Sequence, residues 1–366
     1  MIKCVVWDLD QTLWEGTLAE DGDVVLPEEK LAFLKRMDEA GILQSIATRN
    51  EKQAAEQKLR ELGIAEYFLF PQIGFQSKAL GIRNIAQALD IGLDSIAFLD
   101  DSDFELAEVA YFLPMVRVFH AGRQWDEFRE ELTGSQMGGN VQPATYESRS
   151  RRKFYLADAE RKRQEQAFAG SREAFLRECG IRLTVRQAGE ADLPRICELA
   201  GRTSQFRTFS RKVDAPLCRA YLDGGLFAAE LSDRFGDYGV VGVCFARREE
   251  AEPFRQSGSS GNAAATIEQF CVSCRVGGRG VAGVFLNCVL AMLDQEKPGL
   301  RVRCRFRRTD RNLPMLVLLK SQGFESAGWD SEGSCVYERR KPAPVPNGGW
   351  LTVRIEGGMS ARRARA

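Results

Sequence analysis

Histidine is almost missing from this chain of 366 residues, where His120 is the single example. A Ser-His-Asp hydrolase or a Cys-His protease would have to be built on that one imidazole. It ends the apolar stretch MVRVFH and reads as a strand-end residue rather than a catalyst. Net charge is missing too, because 51 Lys and Arg balance 51 Asp and Glu. Bulk charge therefore gives no argument for a polyanionic partner. No apolar run is long enough to span a bilayer, and the opening MIKCVVWDLD enters a strand without an apolar signal segment. The expected location is cytoplasmic, with no membrane and no nucleic acid among the partners. There the ten cysteines stay reduced. CVSC at 271–274 is the one C-x-x-C, so a zinc site is not expected.

What the chain has is alternation. KCVVWD, ILQSIAT, YFLF, SIAFLD and MVRVFH read as strands. Between them EEKLAFLKRMDEAG, EKQAAEQKLRELG, SKALGIRNIAQALDIG and DFELAEVAYFL read as helices. That pattern predicts an α/β domain over 1–122 with a Rossmann-like parallel sheet. Residues 123–180 carry both charge signs throughout and read as a charged helical linker. A second, α+β domain is expected over 181–340, with strands IRLTVRQA, LFAAEL, YGVVGVCFARR and IEQFCVS, then a helix VFLNCVLAMLDQE. Residues 249–265 have loop composition, and 341–366, rich in Pro, Gly and Arg, read as a disordered tail.

VVWDLDQTLWEG places Asp8 and Asp10 at the end of the first strand. Residues two apart on a strand point the same way, so two carboxylates aim at one volume and call for a cation or a shared proton. Thr48 and Arg49 follow the second strand, Lys78 opens a helix, and Asp100 and Asp101 follow SIAFL. All fall at the C-terminal edge, where open parallel sheets bind ligands. The carboxylates suit Mg2+, while Thr48, Arg49 and Lys78 suit phosphate oxygens.

The order and spacing of DLDQT, Thr48, Lys78 and DD resemble the haloacid-dehalogenase-like phosphohydrolases. The resemblance implies that Asp8 attacks phosphorus and that Asp10 protonates the leaving oxygen. It implies Mg2+ between Asp8, the Asp10 carbonyl, Asp100 and Asp101. The gaps between Asp10, Thr48 and Lys78 are too short for a cap domain.

CRVGGRGVAGVFLN contains Arg275, Gly278 and Gly280 between a strand and a helix. Glycines there let a ligand approach the backbone, and the helix N-terminus offers N–H groups to phosphate. The run resembles the coenzyme A loop of the GNAT acyltransferases. With RTSQF (202–206), DRFGDYGVVGV, SCRV and FRRTDRN, the chain over 1–340 resembles the FkbH-like proteins of polyketide biosynthesis. That resemblance implies transfer of a glyceryl unit from 1,3-bisphosphoglycerate, with loss of phosphate, to an acyl carrier protein through an enzyme cysteine. Cys274 is the first candidate nucleophile, because it lies in SCRV beside the Gly-rich run, and Cys179 is the second. Arg207 stands where FkbH-like relatives commonly carry Asn. RVRCRFRR (301–308) makes one strand face basic, a docking face for an acidic carrier or an ordinary solvated one. Two other readings stay open: a phosphatase fused to an acyl-coenzyme A-dependent GNAT enzyme, and a carrier-docking scaffold with a silent phosphatase fold.

Overall fold

The structure is a computed structural model that describes residues 1–136, 145–249, 264–296, 300–330, 332–339 and 349–356. The chain divides into two compact units, Met1–Ala159 and Glu160–Ala366.

The first unit runs β1 (Cys4–Trp7), a one-turn α1 (Leu18–Asp21), α2 (Glu28–Glu39), β2 (Leu43–Thr48), α3 (Lys52–Glu61), β3 (Gln72–Ile73) and α4 (Lys78–Leu89). It continues with β4 (Ile96–Asp100), α5 (Asp103–Phe112), β5 (Arg117–His120), α6 (Trp125–Gln136), α7 (Tyr146–Arg149) and the start of α8 (Arg151–Ala167). Its strands form one parallel sheet in the order β3-β2-β1-β4-β5. Residues of β1, β2 and β4 are buried throughout, as strands of a sheet covered on both faces are.

Alternation along β1 sorts the core. Val5 and Trp7 join Phe33 and Met37 of α2, Leu59 of α3 and Phe128 of α6 on one face. Cys4 and Val6 join Ile82 and Ile85 of α4 and Leu106 and Val109 of α5 on the other.

The second unit follows with α9 (Arg172–Glu178), β6 (Ile181–Gln187), α10 (Leu193–Arg202), α11 (Ala215–Arg219), β7 (Leu226–Asp233), β8 (Gly236–Glu249) and β9 (Ala264–Val272). Then come α12 (Val281–Glu296), β10 (Arg301–Phe306), α13 (Leu313–Ser321), β11 (Phe324–Trp329), β12 (Cys335–Arg339) and β13 (Leu351–Glu356). The eight strands form one mixed sheet, β11-β12-β10-β9-β8-β7-β6-β13, in which β9–β10 and β6–β13 are the parallel pairs. Phe285 of α12 stacks on Phe270 of β9 at 5.1 Å. The expected class, a Rossmann-like parallel α/β unit followed by an α+β unit, is what the structure shows.

Three local expectations are corrected. YFLF is not a strand of its own: Ala65–Tyr67 is a 3-10 turn, Phe68 makes an isolated bridge to Gln44, and the paired strand is Gln72–Ile73. The stretch read as a charged linker is partly core, because Phe128 and Leu132 of α6 are buried in the first unit. Part of the stretch read as a disordered tail is a strand, because Leu351–Glu356 pairs in parallel with Ile181–Arg186 of β6, while 341–348 and 357–366 lie outside the described residues. Most of the loop read over 249–265 lies outside the described residues.

Candidate functional site

The parallel sheet reverses its strand order at β1, which lies between β2 and β4. The C-terminal ends at that reversal are where a ligand crevice forms. Asp8 follows β1, Thr48 ends β2, and Asp100 ends β4. The Asp8 N–H donates to Leu99 O at 2.9 Å, which fixes the exit of β1 beside β4.

Lys78, the first residue of α4, places its ammonium 3.0 Å from Asp8 Oδ1 and 2.6 Å from Asp100 Oδ2. All three side chains are buried. Ligand oxygens of Asp8, Asp100 and the exposed Asp101 lie within 4.8 Å of one another. Burial pushes the Asp8 carboxyl up to about 7, against the pull of Lys78 and with a push from Asp100. Burial likewise raises Asp100, with Lys78 opposing. Burial works against the charge on Lys78, but the two carboxylates outweigh it and hold the lysine above its ordinary range. Two buried carboxylates against one ammonium leave negative charge unbalanced, and every donor is oxygen. That donor set fits a hard divalent cation such as Mg2+.

Asp10 is brought close to the pair by hydrogen bonds rather than by strand alternation. The strand ends at Trp7, and Leu9 O then accepts the N–H groups of Thr12, Leu13 and Trp14. Gln11 turns through φ 52°, a conformation uncommon outside glycine. Asp10 Oδ1 accepts from Trp14 Nε1 at 2.8 Å and from the Leu18 N–H at 3.1 Å. Its Oδ2 accepts from Asn50 Nδ2 at 3.0 Å, and the same amide reaches Thr48 Oγ1 at 3.2 Å. The Thr48 hydroxyl in turn bonds Asp8. A chain of polar contacts, Asp8–Thr48–Asn50–Asp10, therefore joins the two carboxylates. Thr12 Oγ1 meets Asp101 Oδ1 at 3.4 Å.

Sequence reasoning missed Trp14 and Asn50. Both stood beside the motifs, Trp14 four residues past Asp10 and Asn50 two past Thr48, but nothing local shows which way a side chain turns. Arg49 is placed differently from its expected phosphate role. Its guanidinium pairs with Glu105 at 2.9 Å and approaches Glu108 at 3.7 Å, both on α5. His120 is at the end of the edge strand β5, where Nδ1 accepts from the Gly122 N–H at 3.1 Å.

In the second unit β9 runs into a 3-10 turn over Cys274–Val276, then Gly277–Gly280, then α12. Gly278 and Gly280 both have φ 73°, which a side chain would strain. A Cβ on Gly280 would lie 2.9 Å from the Trp350 ring, and Arg172 donates to Gly278 O. Arg275 Nε donates to Ser273 Oγ at 3.3 Å. Beyond the Ile267–Cys304 pair, Phe206–Thr208 bonds to β9: the Thr208 N–H to Phe270 O at 3.0 Å and the Val272 N–H to Phe206 O at 2.9 Å. The fold thus brings RTSQF against the strand that leads into Cys274. Cys274 is partly exposed, whereas Cys179 is fully buried and its thiol is pushed up by burial.

Arg207 has a structural role. Its guanidinium donates to Thr203 O at 2.8 Å and Ala200 O at 3.3 Å, closing the C-terminal end of α10. Two arginines of the basic face read over 301–308 are paired with acids, and Arg307 donates to Glu332 O and Ser334 Oγ. Arg303 pairs with Glu338, and Arg305 pairs with Glu268, Asp330 and Glu332.

No helix among the described residues is long and apolar enough to cross a membrane. No family model matches the chain, and no curated protein matches it. Among solved structures, the chain is similar to the N-terminal part of a Bacteroides fragilis protein containing a phosphatase domain, complexed with Mg. The identity is 25%, 40% of this chain and 42% of that one are covered, and the TM-score is 0.33. The match thus spans less than half the length of that Bacteroides chain. It is also similar to Arabidopsis thaliana NAA60 in complex with a bisubstrate analogue, at 16% identity over 43% of this chain and 96% of that one, TM-score 0.33. A third similarity is to the cobalt-bound deoxy-D-mannose-octulosonate 8-phosphate phosphatase of Haemophilus influenzae, at 16% identity over 37% and 86%, TM-score 0.29.

Proposed function

We propose that this chain is a cytoplasmic, Mg2+-dependent glyceryl transferase and phosphatase of the FkbH-like kind. It takes a glyceryl unit from 1,3-bisphosphoglycerate and loads it on the thiol of an acyl carrier protein for polyketide extender units. The observation that carries the reading is the buried Lys78 ammonium held between Asp8 and Asp100 at the reversal of a parallel sheet. Held by Asp8, Asp100, Asp101 and the Asp10 carbonyl, Mg2+ would supply positive charge to the phosphate oxygens.

The chain's own groups then have distinct tasks. An Asp8 oxygen attacks the phosphorus of the phosphate ester, forming an O–P bond as the bond to the substrate oxygen breaks. Asp10, oriented by Trp14 and Asn50, gives its proton to the departing oxygen and later takes one from the water that cleaves the aspartyl-phosphate. Lys78 and Thr48 steady the phosphate oxygens. In the second unit the Cys274 sulfur attacks the acyl phosphate carbonyl. A C–S bond forms, the C–O bond to phosphate breaks, and the thiol proton passes to solvent. The carrier's pantetheine thiol then accepts the acyl group, with the Arg275–Gly280 run as its binding loop.

The test incubates the protein with Mg2+, 1,3-bisphosphoglycerate and carrier protein, then weighs both proteins intact. A glyceryl mass on Cys274 and then on the carrier is the expected result; no added mass on either overturns the reading. The Gly278–Gly280 turn opening the 16-residue α12 favours one second reading, an acyl-coenzyme A-dependent transferase fused to the phosphatase. Coenzyme A binding by calorimetry, lost on bulky replacement of Gly278 and Gly280, would select it.

A further inference from the structure

Cys197 on α10 and Cys218 on α11 lie with their sulfur atoms 3.9 Å apart. Neither takes part in the chemistry above. We propose that these two thiols form an oxidative modification site: Cys197 reacts with a peroxide and Cys218 resolves the product as a disulfide.

The two positions are unequal in a way that suits the two steps. Cys197 is partly exposed, so a small oxidant can reach it, whereas Cys218 is fully buried behind it. The contact with the Cys218 sulfur, in which either thiol can donate, stabilises negative charge on Cys197 when Cys218 donates and holds its thiol below the ordinary cysteine range. The same bond, together with burial, raises Cys218. The thiolate is the nucleophile in such chemistry, so Cys197 reacts first. Its sulfur attacks one peroxide oxygen, the O–O bond breaks, and hydroxide leaves, giving a sulfenic acid. The Cys218 sulfur then attacks the Cys197 sulfur, the S–O bond breaks, and water leaves with the Cys218 proton. Both sulfurs are oxidised, peroxide is reduced, and the sum is one disulfide and two waters.

Closing the bridge needs the sulfurs to approach from 3.9 Å to a bond length near 2.05 Å. Both residues lie in one apolar cluster with Ile196, Leu199 and Tyr221, so the movement is a repacking of two adjoining helices. The bridge would also tie off the stretch between residues 197 and 218. That stretch carries Phe206–Thr208, which bonds to β9 just ahead of Cys274. Oxidation would therefore restrain the segment next to the acyl-transfer loop. The thiol chemistry itself does not depend on that proposed role.

The experiment treats the reduced full-length protein with hydrogen peroxide, quenches with N-ethylmaleimide, and maps tryptic peptides. ICELAGR (196–202) and VDAPLCR (213–219) carry one cysteine each. The expected product is these two joined, lighter by two hydrogens than their sum. In Cys218→Ser, dimedone should instead trap a sulfenic acid on Cys197. Full maleimide labelling of both peptides after peroxide would overturn the proposal. So would sulfinic or sulfonic acid on Cys197 in the unaltered protein without the linked peptide. The unfolded chain in urea, given the same peroxide, should lose the preference for this pair. Equal yield of the linked peptide there would show that the fold is not its cause, and would overturn the proposal without reference to any variant.

Discussion

Trp14 is fully buried, yet its indole N–H helps to decide where Asp10 points. Its indole N–H, the Leu18 N–H and the Asn50 amide take the Asp10 carboxylate from three directions. Trp14→Phe keeps the buried ring and removes one donor, so the expected loss is in the proton transfer step. Phosphate release should fall by at least roughly tenfold in kcat with KM little changed, read by steady-state phosphate assay. Asp8 offers a different readout. Its folded pKa, raised to about 7 by burial, lies above the unfolded value, so the metal-free folded chain holds this proton more tightly. The stabilisation linked to the neutral carboxyl is complete below a pH of about 4 and is lost as pH rises toward 7. Asp8→Asn cannot ionise there. The melting temperature of the unaltered protein, relative to Asp8→Asn, should therefore drop across that window, and saturating Mg2+ should reverse the drop. A flat difference would remove the burial argument. At this scale the sequence shows which residues meet, because Asp8, Thr48, Lys78 and Asp100 each sit at an element end that topology gathers. It does not show the contacts of Asn50, Trp14 or Arg49, which depend on side-chain direction after the chain has turned.

Elements were legible where periodicity is long and uninterrupted. The five strands and four main helices of the first sheet unit fall close to the expected stretches, YFLF excepted. That stretch has strand composition, but a two-residue β3 completes the edge a few residues later, and local propensity cannot choose between them. Helix α6 shows the opposite failure. WDEFREELTGSQ is mostly polar, with five charged residues among its twelve, yet Phe128 packs between Trp7, Phe33 and Phe119 at ring separations of 5.9, 5.5 and 5.3 Å. Phe128, together with buried Leu132 and half-buried Trp125, makes the helix part of the core. Phe128→Ala should destabilise the first unit by about 3–5 kcal/mol, measured by urea unfolding. Gly280→Ala is the corresponding change in the second unit. Positive φ and the Trp350 ring both oppose a methyl group there, and about 1–3 kcal/mol of strain is expected. That Trp350, in a segment read as disordered tail, packs on this loop is a contact across distant sequence that composition cannot disclose.

Across the whole molecule the two units are separately cored, and under the proposed function single substitutions should divide the reaction between them. Under the proposed function, Asp8→Asn leaves the thiol chemistry intact but removes the phosphate-ester cleavage. The adduct weighed on Cys274 should then be heavier than the glyceryl adduct by one retained phosphoryl group. Cys274→Ser should do the reverse: phosphate appears, and neither this protein nor the carrier gains mass. Mixing the two variants adds a further constraint. If each step uses only its own unit and the intermediate stays bound to one cysteine, the mixture recovers little carrier loading, because the phosphorylated thioester sits on the chain that cannot cleave it. If the phosphate is removed from free substrate, or after transfer to the carrier, the mixture recovers loading, since the Cys274→Ser chain still has an intact Asp8, Lys78 and Asp100. Intact-mass measurement of the carrier therefore shows whether the phosphate is removed while the unit is held on Cys274. Loading unchanged in the Asp8→Asn chain alone, with a glyceryl rather than a phosphoglyceryl mass, would show that the acidic cluster takes no part in the reaction.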